Sequence, residues 1–329
     1  MPSNPFPVVY STLAAGALQT EVLPQFGLVD VRKCYLWNRG LSDIYLVETA
    51  TQPLILRVSH YHWRSQADIE FEMAWLAFLS QNELPIAYPL KTAAGEMVVT
   101  IAAPEGDRYA SLFTYAPGGV PIGDLSPQQS YQVGEVLAKI HAVSADFDCP
   151  VSRQALTPDY LLDGAFADIV PFLQAQPGDV SYLRDVVTDL KARFATMPRN
   201  FPYWVVCWGD PHSGNVHFTD TQALTLFDFD QCAYGWRIFE LAKFLEIALR
   251  IGTIPKVRDA MFAGYQSVSP LEEFELELLQ PMTQMAHLWV WWISLTAARL
   301  HNYSRLDTTY FRSRMERLKR LRAPTWQLF

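Results

Sequence analysis

The stretch CWGDPHSGN, residues 207–215, places an aspartate, a histidine, a glycine and an asparagine directly after apolar residues. A second acidic stretch, LFDFDQCAYG, follows at residues 226–235, where Asp228 and Asp230 interrupt another apolar run. Aspartate is a poor strand former and is rarely buried without a partner. Aspartate and asparagine also favour turns for purely structural reasons. The spacing raises the question of what two acidic turns so close together could do.

The side chains in these turns are the set that phosphoryl transfer needs. Asp210 could accept a proton from a hydroxyl, and Asn215 follows it five residues later. If a tight pair of strands returns the chain, Asp228 comes back beside Asn215. One amide oxygen and one carboxylate form a sparse, all-oxygen Mg²⁺ site, which phosphates and waters complete. Protein kinases use the same order of base, asparagine and metal-binding aspartate.

Composition excludes several classes of protein. The chain has 329 residues, half of them hydrophobic, and a formal net charge of −8. This charge argues against a nucleic-acid partner, which needs a basic face, and against an anionic membrane surface. Four scattered cysteines form no CxxC pair, and no basic residue precedes Arg32. We therefore expect a cytoplasmic protein without disulfides, secretion signal or membrane association.

The order of the elements predicts two domains. Residues 30–60 contain three β-branched or aromatic runs with short turns, which predict an antiparallel meander. Helical periodicity follows over residues 64–82, then two more strands over 96–103 and 109–116. The Gly- and Pro-rich stretch after residue 116 separates this five-strand part from a mostly helical remainder. We expect a nucleotide-binding domain over 1–116 and a catalytic and substrate domain over 117–329.

The helical part holds a small strand cluster and an aromatic helix. Three short strands are expected over 203–208, 215–218 and 223–229, and the two acidic turns lie among them. The segment HLWVWWISLTAARL, residues 287–300, is too short to span a bilayer and is interpreted as a buried amphipathic helix. From Trp236 to about Arg322 the pattern is helical.

CWGDPHSGNVHF followed by LFDFDQCAYGWRIFELAKF resembles the aminoglycoside phosphotransferase and choline kinase family. That family's first motif reads H-G-D-x-H-x-G-N, and its second reads I-D-[FW]-[DE], followed by a glycine and an acidic-Leu-Ala run. The positions that match are Asp210, His212, Gly214, Asn215, Asp228, Phe229, Asp230, Gly235 and Glu240. Residues 264–279 also resemble the family, especially its bacterial branch of stress-response and homoserine-kinase-like proteins. The resemblance implies an α+β, protein-kinase-like fold with a small antiparallel-sheet lobe and a larger helical lobe.

The resemblance also implies roles for individual residues. Asp210 would be the catalytic base, Asn215 and Asp228 would hold Mg²⁺, and Asp230 would assist. ATP would bind between the lobes, with Arg57 on the third strand at the phosphates and Glu72 on the following helix as its partner.

The remaining ATP contacts come from two further segments. Ser42, in the loop NRGLSD, would cover the phosphates. The hinge around Phe113, Tyr115 and Ala116 would supply backbone groups to the adenine. The acceptor would be the hydroxyl of a small molecule, such as an amino alcohol, aminoglycoside, sugar or hydroxy amino acid. Its pocket is expected from residues 157–200 and 280–305.

Three positions depart from the family pattern. Arg57 replaces the usual third-strand lysine, which keeps the charge but changes the shape. Trp208 replaces the histidine before Gly-Asp, where we expect a scaffolding role. The loop over residues 38–43 is poor in glycine.

Three other functions stay open from the sequence. A bacterial Ser/Thr protein kinase of the stress-response type shares the fold, although no activation loop is recognisable between Asp228 and Gly235. A metal-dependent hydrolase could draw ligands from a pool of acids and histidines: Asp210, His212, His217, Asp228 and Asp230. A non-catalytic nucleotide-binding protein is the third alternative, suggested by the departures at Arg57 and Trp208.

Overall fold

The computed structural model describes residues 6–301 and 306–327, and side chains are not described for 299–301. Contacts divide the chain into two compact units. The N-terminal unit runs to Pro117 and includes residues 148–152, and the C-terminal unit comprises residues 118–147 and those from Arg153 onward. No helix within the described ranges is long and apolar enough to cross a membrane.

The N-terminal unit is an antiparallel sheet of six strands with a helical lead-in and one long helix. The lead-in is α1 (Ala15–Ala17), a π-helical turn (Leu18–Val22) and a 3-10 turn (Leu23–Phe26), and the long helix is α2 (Gln66–Gln81). The strands are β1 (Val31–Arg39), β2 (Ser42–Thr49), β3 (Pro53–Ser59), β4 (Pro89–Leu90), β5 (Val99–Ala103) and β6 (Gly106–Thr114). Their order is β1-β2-β3-β6-β4, with β5 paired to β6.

The sheet confirms the predicted β1-β2-β3 meander and adds one strand to the predicted five. The additional strand β4 has two residues and begins at a proline, so it carries no alternating pattern that the sequence could reveal. It pairs with β6 at Phe113 and Leu112. One face of the sheet packs on the lead-in helix through buried residues such as Val47 and Leu56.

Helix α2 follows directly from its sequence. Ser65 caps its first turn by accepting from the Asp68 N–H, and the Asp68 carboxylate accepts from the Ser65 N–H. This reciprocal capping box satisfies two backbone donors that the helix cannot satisfy itself. The apolar residues that recur at helical spacing, Ile69, Met73, Leu76 and Leu79, are buried, and Glu72 is buried among them. A buried carboxylate on an apolar helix face requires a partner.

The C-terminal unit is mostly helical. Its helices are α3 (Pro127–Val143), α4 (Gly164–Leu173), α5 (Pro177–Phe194), α6 (Arg237–Ile251), α7 (Pro255–Gln266), α8 (Glu273–Glu277), α9 (Leu279–His301) and α10 (Thr308–Arg322). Ser126 caps helix α3 by accepting from the Gln129 N–H, and Pro127 stands in its first turn. Gly134 of α3 and Gly264 of α7 allow these two helices to touch closely. A Cβ at either position would lie within 2.1 Å of a backbone oxygen of the other helix.

Four short strands replace the three that the sequence predicts in this unit. They are β7 (Trp204–Cys207), β8 (Val216–Phe218), β9 (Leu224–Leu226) and β10 (Ala233–Trp236). Strand β7 pairs with β10, and β8 pairs with β9, both antiparallel. The missed strand β10 runs without a break into α6, and its last residue, Trp236, is where the sequence predicts that helix to begin.

Helix α9 contains the aromatic segment predicted as a buried helix. Trp289 and Trp291 are buried in the core, in agreement with that prediction. Residues 302–305, the end of the range expected to contribute to an acceptor pocket, lie outside the described residues.

Candidate active site

The first acidic turn follows β7 through Trp208 and Gly209, whose backbone is held by close contacts and hydrogen bonds. Gly209 adopts a φ of +89°, and a Cβ there would lie 2.2 Å from the carbonyl oxygen of Gln231. Glycine is therefore required both for the conformation and for the close approach. Asp210 follows, with its side chain 20% exposed at the edge of the buried loop.

Glu240, near the start of α6, anchors this turn from below. Its Oε1 accepts from the Gly209 N–H at 2.7 Å, and its Oε2 accepts from the Trp208 N–H. The same Oε2 lies 3.4 Å from Nε2 of His141, whose Nδ1 is 2.8 Å from the Tyr265 hydroxyl. Glu240 thus satisfies buried backbone donors with a charged acceptor, which is a strong type of hydrogen bond.

Trp208 connects the two acidic turns. Its side chain is fully buried, and its indole N–H donates to the carbonyl oxygens of Phe227 at 3.2 Å and Asp228 at 3.0 Å. The indole ring packs against Phe229 with centroids 5.4 Å apart. The aromatic residue that replaces the family's histidine therefore has the scaffolding position expected from the sequence.

The β8–β9 hairpin returns the chain to the first turn. Val216 pairs with Leu226, and the Phe227 N–H donates to the Asn215 carbonyl at 3.1 Å. Asp228 comes next, exposed and in a left-handed conformation with φ of +57°. A non-glycine residue in this region is uncommon and occurs disproportionately at functional sites.

Asn215 is oriented by its own loop. Its Nδ2 donates to the Asp210 carbonyl at 3.1 Å, which leaves Oδ1 as the acceptor atom of this buried amide. Together with the exposed carboxylate of Asp228, it supplies the all-oxygen donor set that suits Mg²⁺. The chemistry of the two side chains therefore fits the predicted ion.

The electrostatics of Asp210 are dominated by a buried lysine. Burial by itself would raise the pKa of Asp210, but the Lys243 ammonium and His212 outweigh it and hold the pKa well below its usual range. Lys243 Nζ lies 3.2 Å from Oδ1, and Gln231 Nε2 donates to Oδ2 at 2.9 Å. His212 accepts from the Gly214 N–H through Nδ1, so its proton is on Nε2, 3.6 Å from Oδ2. Asp210 is a fully ionised carboxylate at neutral pH.

The ligand pool considered for a metal-dependent hydrolase does not converge. Among the residues that the structure describes, one group of three His, Cys, Asp or Glu side chains lies close enough to share an ion: His141, Cys207 and Glu240. None of these belongs to the predicted pool, and both oxygens of Glu240 accept hydrogen bonds from the backbone N–H groups of Trp208 and Gly209. His217 instead packs its ring on Phe227, with centroids 4.7 Å apart.

In the N-terminal unit, Arg57 and Glu72 form a buried, two-pronged ion pair. Nη1 and Nη2 of Arg57 donate to the two carboxylate oxygens at 2.7 and 2.6 Å. The two residues are 8% and 0% exposed. The guanidinium also lies over the Phe113 ring, 4.9 Å from its centroid. The structure therefore brings the strand cation and the helix acid together, while their contact with nucleotide stays a prediction.

The other predicted nucleotide residues lie on two different parts of the N-terminal sheet. Ser42 is the buried first residue of β2, directly after the β1–β2 turn. Phe113 lies within β6 between its partners on β3 and β4, and Tyr115 is the first residue beyond that strand. Their roles toward ATP stay predictions.

Sequence reasoning missed Lys243 and Gln231, which both contact Asp210. The sequence does contain a sign that the lysine is buried. Charged residues recur every three positions on α6, at Arg237, Glu240, Lys243 and Glu246. Residues 237–249 of this helix are all buried. Charged residues on a buried helix face need partners. The positions of those partners depend on loops far away in the sequence, which the pattern does not reveal.

Comparison with known proteins gives the family. Residues 37–278 match the model of the phosphotransferase enzyme family. The chain belongs to this family, which confirms the resemblance seen in the two motifs and the prediction of a phosphotransferase.

Three similar proteins illustrate the match. An uncharacterized protein of Synechocystis sp. is 46% identical over 98% of this chain and 90% of its own. The homoserine kinase of Azorhizobium caulinodans is 29% identical, covering 85% of each chain. The solved structure of an amicoumacin kinase in complex with AMP-PNP, Ca²⁺ and Ami covers 91% of this chain and 92% of that one, at 20% identity and a TM-score of 0.75. This likeness confirms the predicted α+β, protein-kinase-like fold.

Proposed function

We propose that this phosphotransferase uses ATP and Mg²⁺ to phosphorylate a hydroxyl of a small metabolite, with Asp210 as the base. The observation that carries the proposal is the hydrogen bond from the Phe227 N–H to the Asn215 carbonyl. It closes the β8–β9 hairpin, so that the turn of Asp228 returns to the turn of Asp210 and Asn215. This arrangement of the two turns supports phosphoryl transfer, because it would place the base, Asp210, near the metal ligands Asn215 and Asp228.

Asp210 would orient the acceptor hydroxyl and then take its proton. The transferred phosphoryl group is only loosely bonded in the transition state, so early deprotonation of the attacking oxygen is not needed. A carboxylate whose pKa is held low suits this order, because it stays ionised and accepts the hydroxyl hydrogen bond throughout the approach. The proton moves to Asp210 as the new P–O bond forms and the bond to ADP breaks.

Asn215 and Asp228 would hold the metal ion. The amide would contribute a neutral oxygen and the carboxylate a charged one. Bound Mg²⁺ supplies positive charge that neutralises the phosphate oxygens of ATP.

The N-terminal unit would bind the nucleotide. Arg57, held by Glu72, provides a fixed positive charge for the α- and β-phosphates. Ser42 would contact the phosphates beside the β1–β2 turn, and the backbone from Phe113 to Tyr115 would meet the adenine. Arginine keeps the positive charge of the usual lysine at this position, in a planar, forked shape.

The acceptor is proposed to be a small hydroxyl compound that carries an amine. The net charge of −8 favours cationic partners in general. Homoserine, named in one relative, is a hydroxy amino acid. A protein substrate is disfavoured because β10 begins at Ala233, which leaves only a short connection after Asp228 for an activation loop. Scattered free cysteines and the use of ATP favour a cytoplasmic location.

The test is acceptor-dependent ADP release with Mg-ATP. The panel contains ethanolamine, homoserine, kanamycin, glucose and casein. Wild type is compared with Asp210→Asn and with Asp220→Asn, a matched change at an exposed position of the β8–β9 turn. We expect turnover with one small acceptor that disappears with EDTA, falls about 1,000-fold in Asp210→Asn and persists in Asp220→Asn. Absence of Mg-ATP binding, or full activity of Asp210→Asn, would contradict the proposal.

A further inference from the structure

We propose that Lys243 and Gln231 are positioning residues that together fix the carboxylate of Asp210, an inference that rests on the proposed function. Lys243 lies on α6 and Gln231 follows the second acidic turn. Neither belongs to the motif positions that suggested the activity. Both hold Asp210 from the buried side of its loop.

Lys243 has its three donors committed within the protein. Its Nζ lies 3.2 Å from Oδ1 of Asp210, 3.1 Å from the Gly209 carbonyl and 3.0 Å from Oε1 of Gln231. A lysine ammonium has three N–H donors, so these contacts account for all of them. Since the residue is also only 1% exposed, it cannot reach out to bind phosphate as a surface lysine would. Its action on the reaction has to pass through Asp210.

Gln231 has only one orientation that satisfies its neighbours. Its Oε1 lies 3.0 Å from both Lys243 Nζ and Trp289 Nε1, and each of these groups can only donate. The oxygen of the amide therefore faces them, and Nε2 must face Asp210 Oδ2, where it donates at 2.9 Å. Because both neighbours can only donate, they identify which end of the Gln231 amide is the oxygen, which distances alone would not distinguish.

The two contacts act on different oxygens of the same carboxylate. Lys243 holds Oδ1 and Gln231 holds Oδ2, so rotation of the carboxylate plane would break both hydrogen bonds at once. The exposed fifth of the Asp210 side chain remains for an acceptor hydroxyl. Reactions of this kind depend on alignment, and a misplacement of about 1 Å can reduce the rate by about 100-fold.

Lys243→Met tests the inference through a double-mutant cycle with Asp210→Asn. We expect kcat to fall about 10- to 100-fold, with the KM for ATP within about two-fold of wild type, because Lys243 contacts Asp210 and none of the predicted nucleotide-binding residues. In the Asp210→Asn background the same substitution should change kcat less than about two-fold, since the group it positions is already altered. A purely structural lysine would reduce activity by the same factor in both backgrounds.

Two further variants keep the test decisive if Lys243→Met unfolds. Gln231→Met keeps the side-chain length and removes the donor to Oδ2, and should reproduce the kcat loss without a KM change for ATP. Lys139→Met is the matched control, because Lys139 is exposed and pairs with Glu135 on the surface of α3. It should leave kcat unchanged.

The possible results distinguish failure of the positioning role of Lys243 and Gln231 from failure of the proposed phosphotransferase function. Wild-type turnover together with unchanged kcat in Lys243→Met and Gln231→Met would overturn the positioning role alone. Equal losses with and without Asp210→Asn would also overturn it. A wild-type protein with no turnover on any panel acceptor would overturn the proposed function and, with it, this inference.

Discussion

Two ion pairs, one in each unit, have opposite designs. The Arg57–Glu72 pair is closed: both side chains are buried, and two parallel N–H···O bonds join them at 2.6–2.7 Å. The Lys243–Asp210 pair is open on one side. It has one N···O contact of 3.2 Å, and its carboxylate stays partly exposed. The Arg57–Glu72 pair is therefore rigid and enclosed, whereas the Lys243–Asp210 pair leaves part of the Asp210 carboxylate accessible.

The difference shows which partner of each pair is expected to meet a substrate. In the closed pair, the carboxylate of Glu72 is fully enclosed, and the Arg57 guanidinium is the member proposed to meet the nucleotide phosphates. In the open pair, the lysine is enclosed and the carboxylate is the member with remaining acceptor capacity. A buried ion pair is weak evidence for stability by itself, but breaking it leaves a costly buried charge.

Removing the cation of the closed pair should produce the largest loss of stability. Arg57→Met leaves Glu72 buried without its guanidinium, and we expect about 3 kcal/mol lower unfolding free energy in urea denaturation. The double variant Arg57→Met/Glu72→Met should recover most of this stability while the KM for ATP stays raised. Arg32→Met, on exposed β1, is the control. Recovery of ATP affinity in the double variant would contradict the nucleotide role.

A third buried pair, Glu246 with His287, joins α6 to α9 and has no proposed role in the reaction. Burial raises the pKa of Glu246, but the bond to His287 outweighs it and lowers the pKa to about 2. Burial also lowers the pKa of His287. Both groups bind protons more readily in the unfolded chain, so their stabilisation is present above pH 6.5 and is lost as the pH falls toward 2.

The expected loss from Glu246 on acidification is roughly 2–3 kcal/mol. It is measured as the urea midpoint between pH 7 and pH 3. Glu246→Gln should flatten this profile, whereas Glu135→Gln, at an exposed surface pair, should follow wild type. A wild-type midpoint that rises as the pH falls would show that the sign is wrong.

The link between the two acidic turns should have the smallest effect. Trp208→Phe keeps most of the buried ring and removes the N–H that donates to the carbonyls of Phe227 and Asp228. We expect about 1 kcal/mol lower stability and a higher Mg²⁺ requirement, since the Asp228 turn is held less firmly. Trp37→Phe, on an exposed part of β1, should change neither quantity. An unchanged Mg²⁺ requirement in Trp208→Phe would contradict the role of the indole N–H in holding the Asp228 turn.

The sequence predicts those features whose signal is local. Helix α2 is visible because its cap at Ser65 and its apolar spacing are contiguous in the chain. The turns of Asp210 and Asp228 are visible because motif residues keep a short spacing across one hairpin. Strand β4 is missed because two residues after a proline carry no periodicity.

The partners of buried charges are missed for a different reason. The charged face of α6 is readable, yet Lys243 meets Asp210 across more than thirty residues of sequence. That contact depends on Gly209 approaching the backbone of Gln231, which is a property of the folded loops. Long-range polar pairing of this kind is set by tertiary packing and leaves no periodic trace in the sequence.

The role of Asp210 as the base is tested by single-turnover phosphoryl transfer in wild type and Asp210→Asn at saturating Mg-ATP and acceptor. AMP-PNP binding is measured on the same samples. Asp210→Asn should slow transfer by about 1,000-fold, within the range expected for a positioned base, with AMP-PNP affinity within about two-fold of wild type. Transfer by Asp210→Asn at the wild-type rate would contradict the assignment of Asp210 as the group that receives the acceptor proton.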